Sequence, residues 1–570
     1  MTNAPDLPAD THVVRNQPPE FGPCDLWAGD PALREAVVRE GGEAFVAHLH
    51  AYGRLAGDAL YRAAFDAHRD RPRLRTHDRF GHRIDTVEFH PAYHVLMDAA
   101  IAGGVAGLSW APATWSLPQA GVHVARAALS YLHHQAEPGT SCPLTMTHAA
   151  VPALRRAPAL QAWADKAASA RYDPRDIPMA DKAGVTLGMG MTEKQGGSDV
   201  RSNETVATPL PGGDDYALVG HKWFFSAPMS DGFLMLAQAP GGLSCFLMPR
   251  NLPDGARNAF RVMRLKDKLG DWSNASSEVE FAGARAHRIG DEGRGVSVIL
   301  EMVMLTRLDC MLGSAAEMRM ALLQALHHVR HRVAFGRRLV EQPLMRNVLA
   351  DLAIESEVAT AFALRVAGAV DRAAHDAHDA REAGFARVAT AIGKFWICKR
   401  APAFVNEAQE CLGGVGYVEE TILPRLYRQA PLNSIWEGSG NIQCLDVLRA
   451  LQREPGAIDA LRAELQGAAG RQSDFDAAVA ALERDLAMWA TQPPEAAQFA
   501  ARAQVERLAL ALQAATLLRG DSPLADAFCR SRLGGARGAV FGTLADAGAV
   551  ECALARLDAT ATHSSPGAQA

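Results

Sequence analysis

Helical periodicity stops near Gly188 and returns near Gly295, and the stretch between them reads as strands. Its short apolar runs are Tyr216–Val219, Lys222–Ser226, Phe233–Ala237, Ser244–Met248, Phe260–Leu265 and Ser277–Phe281. Gly, Pro, Asp and Asn punctuate them, and no helical period intervenes. Parallel βαβ units need a helix between strands, so the spacing predicts an antiparallel sheet or barrel. Upstream, from about Pro31 to Leu187, the pattern is mostly helical, as in Pro31–His50, with Pro at a first helical position, and Pro118–Gln135. Downstream run Val296–Val333, Pro343–Arg372, Ala383–Leu412 and Asn441–Arg453, on the scale of a helical bundle. A Pro/Gly break at Glu454–Gly456 opens another helical region that ends near Asp558. The chain is therefore expected to be mainly α with a central β domain. The expected order is an N-terminal helical domain over 1–187, a β domain over 188–294, a bundle over 295–453 and a C-terminal helical region over 454–570. The first 20 or so residues read as extended and Ala559–Ala570 as a disordered tail.

Composition narrows the function classes. With 570 residues, 48% hydrophobic and 21% charged, the chain can bury a large core and is neither disordered, collagenous nor built on disulfides. Its formal net charge of -6 excludes a basic nucleic-acid coat, so any DNA contact has to be local. The nine cysteines are scattered without a C-x-x-C pair, which reads as free thiols in a reducing compartment. The start MTNAPDLPADTHVVRNQPPE lacks the basic and apolar regions of a secretory signal. No apolar run reaches membrane-spanning length, since Val296–Leu305 soon meets Arg307 and Asp309. A cytoplasmic protein with no membrane contact is expected. Only eight lysines stand beside 50 arginines. Heavy alanine use favours compositional bias as the cause over an appetite for phosphate.

Four segments carry candidate chemistry. The first, Met189-Gly190-Met191-Thr192-Glu193-Lys194-Gln195-Gly196-Gly197-Ser198-Asp199-Val200-Arg201-Ser202-Asn203, offers small residues, hydroxyls and free backbone N–H groups that suit a phosphate or a polar heterocycle. Taken alone it reads as a Gly-rich turn. Gly188 and Gly190 lack the third Gly and the βαβ unit of a dinucleotide fingerprint. The second, Gly220-His221-Lys222-Trp223-Phe224-Phe225-Ser226, sets three aromatics before a hydroxyl, enough to wall a ring cofactor, though strand aromatics are usually core. The third, Arg332-Val333-Ala334-Phe335-Gly336-Arg337-Arg338-Leu339, suits a pyrophosphate or simply sets cations at a helix end. His327 and His331 could share a metal, but the flanking Arg330 and Arg332 oppose a cation and no carboxylate lies nearby, so no metal is expected. The fourth is Cys411-Leu412-Gly413-Gly414-Val415-Gly416-Tyr417, followed by Ile435-Trp436-Glu437-Gly438-Ser439-Gly440-Asn441.

Jointly, over about Gly188 to Leu451, these segments resemble the acyl-CoA dehydrogenase family. The run M-T-E-K-Q-G-G-S-D-V-R-S-N, the pattern W-F-F-S and the extra C-terminal helical region resemble its AidB branch, which belongs to the bacterial response to DNA alkylation. The resemblance implies FAD, a helical–barrel–bundle fold and a homotetramer. It carries Thr192 and Ser198, with Met189, Met191 and Gly197 of the same loop, to flavin and phosphate contacts. It sets Phe224, flanked by Trp223 and Phe225, over the flavin ring and Ser226 near flavin N5. Arg332, Phe335, Gly413 and Gly414 would reach the adenine half across a subunit boundary. Ile435, Trp436, Gly438, Ser439 and Asn441 belong to the loop covering the flavin, with Glu437 as catalytic base.

The implied reaction removes two hydrogens from an acyl thioester, an acyl-CoA. A carboxylate takes the α-proton, so it needs a raised pKa in a desolvated slot, and the thioester oxygen needs an oxyanion hole. Trp436 could restrict acyl size. Two departures stand out. The usual Gln before Gly413 falls on Glu410, with Gln409 one place early, and Leu305-Thr306-Arg307-Leu308 offers no alternative base. The resemblance also implies double-stranded DNA binding by the C-terminal region. That region, from Ala457, holds ten arginines against thirteen acids. Its cation-rich stretch carries Arg530, Arg532 and Arg537, read either as a phosphate clamp or as helix C-terminal cations with a subunit contact. Two functions follow. One is an AidB-like flavoprotein of the alkylation response that binds DNA and keeps weak isovaleryl-type dehydrogenase activity. The other is a metabolic enzyme for short or branched acyl-CoA whose C-terminal region serves oligomerisation.

Overall fold

The structure, a computed structural model, describes residues 11–376, 379–536 and 538–558. Its centre is a closed ring of five strands. The domain runs β3 (Leu187–Gly190), β4 (Val206–Pro209), β5 (Asp215–Ser226), β6 (Gly232–Ala239), β7 (Gly242–Pro249), β8 (Phe260–Leu265) and β9 (Ser276–Ile289), counting from a two-stranded N-terminal hairpin of β1 (Arg73–His77) and β2 (Arg83–Glu88). The ring closes in the order β6, β4, β5, β9, β7 and back to β6. The strands β6 and β7 are apolar on both faces because both are covered. Phe233, Met235, Ala237, Phe246 and Met248 fill the ring interior. Leu234, Leu236, Cys245 and Leu247 pack outward on helical residues such as Val298, Ile299 and Met302.

Two sequence readings need correction here. The sheet is not wholly antiparallel, since β3 and β4 both lie parallel to β6. The segment between β3 and β4 crosses the end of the sheet as a loop, so the parallel pairing leaves no helical signal. The G-x-G of Gly188 and Gly190 is a packing device in β3: a Cβ there would meet the Phe233 and Phe225 rings at 2.6 and 2.7 Å. The second correction is the β1–β2 hairpin within the N-terminal helical stretch. Its alternation of arginine with Leu74 and Thr76 is the strand signal.

The bundle consists of Gly295–His331, Pro343–His375, Ala380–Leu412 and Gly440–Arg453. Upstream, Asp30 caps Pro31–Arg39 by accepting the Leu33 N–H at 3.0 Å. Gly41, at φ +100°, breaks that helix, and the chain restarts at Val46. The C-terminal helices Pro455–Gln466, Ser473–Thr491, Pro494–Arg519 and Ala547–Asp558 share one continuous apolar core with the bundle. A buried cation joins them: Arg365 donates to Glu382 of the bundle at 2.8 and 3.0 Å and to Glu464 of the C-terminal region at 2.8 and 2.9 Å. A short helix begins at Ala525 and ends in a wide π turn, Cys529–Leu533, at Gly534. Residues 11–20 form no regular element, and the tail Ala559–Ala570 lies outside the described residues. Among the described residues no helix is long and apolar enough to cross a membrane.

Candidate active site

Glu437 sits in the link between the turn Leu432–Ser434 and the helix Gly440–Arg453. Its backbone is left-handed, φ +57°, a conformation that costs a non-glycine residue about 1–3 kcal/mol and survives only when its surroundings enforce it. The enforcement is visible. Lys394 donates to the carbonyls of Trp436 (2.7 Å) and Gly438 (2.5 Å). Arg307 Nε donates to the Glu437 carbonyl at 3.1 Å. Gln443 donates to the carbonyls of Glu437 and Gly438 at 3.0 and 2.9 Å. Arg307 is itself fixed by Asp446 at 2.8 Å.

The Glu437 side chain is half-buried, and the Thr306 hydroxyl donates to its Oε2 at 2.8 Å. Burial pushes this carboxyl above its ordinary range, while Thr306, Arg307 and Lys394 pull part of that back. A carboxylate so placed is a stronger base than one in water. Trp436 is oriented by Asn433, which accepts its indole N–H at 2.9 Å. Its ring packs on the same apolar cluster as Met189, Met191 and Leu305, so the structure brings the first and fourth sequence segments together.

The second segment joins the first through the backbone, the Trp223 N–H donating to the Thr192 carbonyl at 2.8 Å. Beneath lies an ion pair with no exposed side-chain surface, Glu193 with Lys222 at 2.7 Å. Burial works against the Glu193 charge. The Lys222 ammonium and the N–H groups of Glu204 and Thr205 outweigh it and hold the carboxyl down at about 2. Gly197 is required where a Cβ would meet Thr192 Oγ1 at 2.4 Å. Ser198 is exposed, and the Ser226 hydroxyl lies 3.2 Å from that of Ser276. Strand alternation then divides the aromatics. Phe224 points out, 55% exposed, while Phe225 is wholly buried against Phe233, Phe260 and Phe281. The expectation that Phe225 walls a cofactor ring is corrected: it fills the barrel. The Trp223 ring carries the Lys266 ammonium at 3.4 Å.

The remaining segments face outward. Arg332 donates to the Asn16 carbonyl, and Phe335, at φ +52°, is 99% exposed at the tip of a small hairpin. A Cβ at Gly413 or Gly414 would meet nothing within 4 Å, and Gln409 braces their turn by donating to the Gly416 carbonyl at 3.0 Å. Ile435 is 62% exposed, Gly438 is left-handed at φ +91°, Ser439 precedes the helix, and Asn441 accepts from Arg502 at 3.1 Å.

The arginines assigned to DNA need correction. Arg532 is buried, its guanidinium bonded to Asp351 and Glu355, and Arg530 is held by Asp526 and Asp546. Arg537 lies outside the described residues. Acids of the C-terminal region thus hold Arg530, and acids of the bundle helix Pro343–His375 hold Arg532. Sequence reasoning missed Thr306, Arg307, Lys394, Gln443 and the Glu193–Lys222 pair. The scarcity of lysine was the available signal. Lys166, Lys182, Lys222 and Lys394 each set a compact ammonium among carbonyls or against one buried carboxylate, a role that a planar guanidinium fills poorly.

Comparison with known proteins matches these parts. Residues 16–174 match the N-terminal domain of the adaptive response protein AidB, 188–284 the acyl-CoA dehydrogenase middle domain and 293–452 the acyl-CoA dehydrogenase C-terminal domain. The chain is 47% identical over 526 residues to the putative acyl-CoA dehydrogenase AidB of Escherichia coli K12, covering 92% of this chain and 94% of that one. The crystal structure of Caenorhabditis elegans ACDH-11 in complex with C11-CoA superposes with a TM-score of 0.81 at 25% identity, over 96% of this chain and 93% of that one. The apo form of Bd2924 superposes at 0.80 with 28% identity, over 90% and 100%.

Proposed function

The chain belongs to the acyl-CoA dehydrogenase family, in its AidB-like branch, and from that premise we propose that Glu437 takes the α-proton of a short or branched acyl-CoA. Family members are FAD-dependent flavoproteins, and FAD, when bound, accepts the hydride leaving the β-carbon. The residues fit that group. Phe224 offers an exposed ring beside the half-buried Ser226 hydroxyl, Ser198 and the half-buried Thr192 offer further hydroxyls, and Gly413–Gly414 leave open space over bare backbone. Thr192, Ser198, Ser226 and Phe224 would hold the flavin end. Arg332, Phe335, Gly413 and Gly414 would hold the adenine end of a neighbouring subunit's FAD. The exposure of the large apolar side chains Phe335, Leu344, Tyr417 and Ile435 supports association into such a homotetramer. The nine free cysteines support a cytoplasmic location.

The observation that carries the reading is the enforced left-handed Glu437 with its carboxylate raised by burial. Glu437 holds the proton, and the Thr306 hydroxyl stabilises the charged form before transfer. The Trp436 indole, locked by Asn433, limits the acyl space and supports short or branched chains. The test is anaerobic bleaching of the flavin by a series of thioesters. Isovaleryl-CoA should reduce it faster than a C11 thioester, and the reverse order would overturn the assignment.

One observation favours a further role in the adaptive response through double-stranded DNA. Arg71, Arg73, Arg75, His77 and Arg79 occupy alternate positions along β1 and its flanks, all exposed. Arg73 and Arg75 share one face of β1 at the spacing of two strand residues, about 6.8 Å, while a register shift between Arg75 and His77 and the turn at Arg79 take the later cations off that line. Between Arg69 and Arg83 six arginines and two histidines stand against two aspartates. The pairs Arg73–Asp70, Arg75–Glu88 and Arg71–Asp267 are exposed and correspondingly weak. Changing Arg71, Arg73, Arg75 and Arg79 to Ser should flatten the salt dependence of DNA binding by about 0.9 per lost phosphate contact. An unchanged slope would remove this surface from the account.

A further inference from the structure

A trans peptide is planar, so its C=O and the following N–H point in opposite directions. That geometry gives Lys394 a consequence. The ammonium, 1% exposed on the helix Ala380–Leu412, draws the carbonyls of Trp436 and Gly438 into the protein. The N–H groups of Glu437 and Ser439 therefore project away from that helix. The Glu437 carbonyl is drawn inward by Arg307 and Gln443, so the Gly438 N–H is turned outward as well. Among the described residues none of these three N–H groups has a partner in the chain. Successive unpaired N–H groups at a left-handed residue form a concavity for negative charge, and this one adjoins the carboxylate that Thr306 holds.

We propose that Lys394 is a positioning residue that aims the Glu437 N–H at the oxygen of the substrate thioester. The inference rests on the reading of Glu437 as the base. As the α C–H bond breaks, the proton passes to the Glu437 carboxylate and the bond pair moves onto the thioester oxygen. That oxygen becomes an enolate held by the N–H groups beside the base. One loop thus supplies both base and oxyanion donor, and Lys394 fixes their relative direction from behind without touching substrate. Gln443 shares the work through the next peptide. A compact ammonium with three donors bonds two carbonyls from one point, which explains a lysine here in a chain that elsewhere prefers arginine.

The test uses the flavin-loaded protein and acetoacetyl-CoA, an acidic thioester whose enolate gives a long-wavelength band against oxidised flavin. Wild type should show the band near neutral pH. Lys394→Met, with flavin occupancy confirmed by absorbance, should bind the probe yet need a higher pH for the band, with the enolate fraction down about 10–100-fold; outright removal of an oxyanion donor costs roughly 10²–10³ in rate. Gln443→Leu should give a smaller shift of the same sign, and it serves as the reading if Lys394→Met loses its flavin. Glu437→Gln keeps the N–H and should keep the band while losing turnover. Undiminished bands in Lys394→Met, or in Gln443→Leu when the first variant holds no flavin, would overturn the positioning role. Retained turnover in Glu437→Gln would instead overturn the assignment of the base.

Discussion

Replacing Lys222 by Met should loosen the whole first segment, because it orphans a carboxylate with no exposed side-chain surface. The size of the effect can be worked two ways. The folded Glu193 carboxyl stands at about 2 against an ordinary 4.5, which at 1.36 kcal/mol per pH unit is about 3 kcal/mol near neutral pH. Breaking a buried pair by removing one partner costs about 3–5 kcal/mol. The two agree. The sign with pH follows from the lowered value: the contribution is fully present above about 4.5 and is lost as pH falls from there toward 2. Glu193→Gln with Lys222→Met leaves no orphan charge and should recover most of the loss, with stability flatter across that acid window. Urea unfolding followed by tryptophan fluorescence, together with FAD titration, measures both effects. A loss below about 1 kcal/mol in Lys222→Met, or a double variant no more stable than the single, would refute the reasoning.

Thr306→Val removes a hydrogen bond to the charged form of Glu437, raising its pKa further. The rising limb of the kcat/KM profile should move to higher pH and kcat/KM at pH 7 should fall about 10-fold, the scale of a charged hydrogen bond, with flavin content unchanged. Phe225→Ala should cost about 3–5 kcal/mol in urea unfolding by opening a cavity in the barrel. Phe224→Ala, at an exposed position, should change stability by less than about 1 kcal/mol while weakening FAD binding. Arg532→Ala should destabilise by about 3–5 kcal/mol, leaving Asp351 and Glu355 unpaired, without changing the salt slope of DNA binding.

Periodicity made the bundle helices legible because long amphipathic segments announce themselves, and the strands were legible because Gly and Pro interrupt short apolar runs. Pairing direction was not, since β3 and β4 come to lie parallel to β6 with strand β5 and no α-helix between them in the chain. At the site, the sequence pointed to Glu437 and its loop but not to what bends it. Thr306, Arg307 and Lys394 come from two other helices, 131, 130 and 43 residues away in sequence, and no local pattern links them. Phe225 was assigned to a cofactor wall because three aromatics in a row were taken together, although adjacent strand residues must face opposite sides. The Arg530–Arg532 stretch was misread because its partners Asp351 and Glu355 belong to the bundle.

The account's central claim is that Glu437 is the base of an acyl-CoA oxidising site. Mixing flavin-loaded protein with isovaleryl-CoA under anaerobic conditions, wild type against Glu437→Gln, tests it in one turnover. Wild-type flavin should bleach, and the variant should bleach about 10²–10⁴-fold more slowly while still binding the thioester, the range that a positioned acid–base group supplies. Bleaching in Glu437→Gln within a few-fold of wild type would contradict the claim.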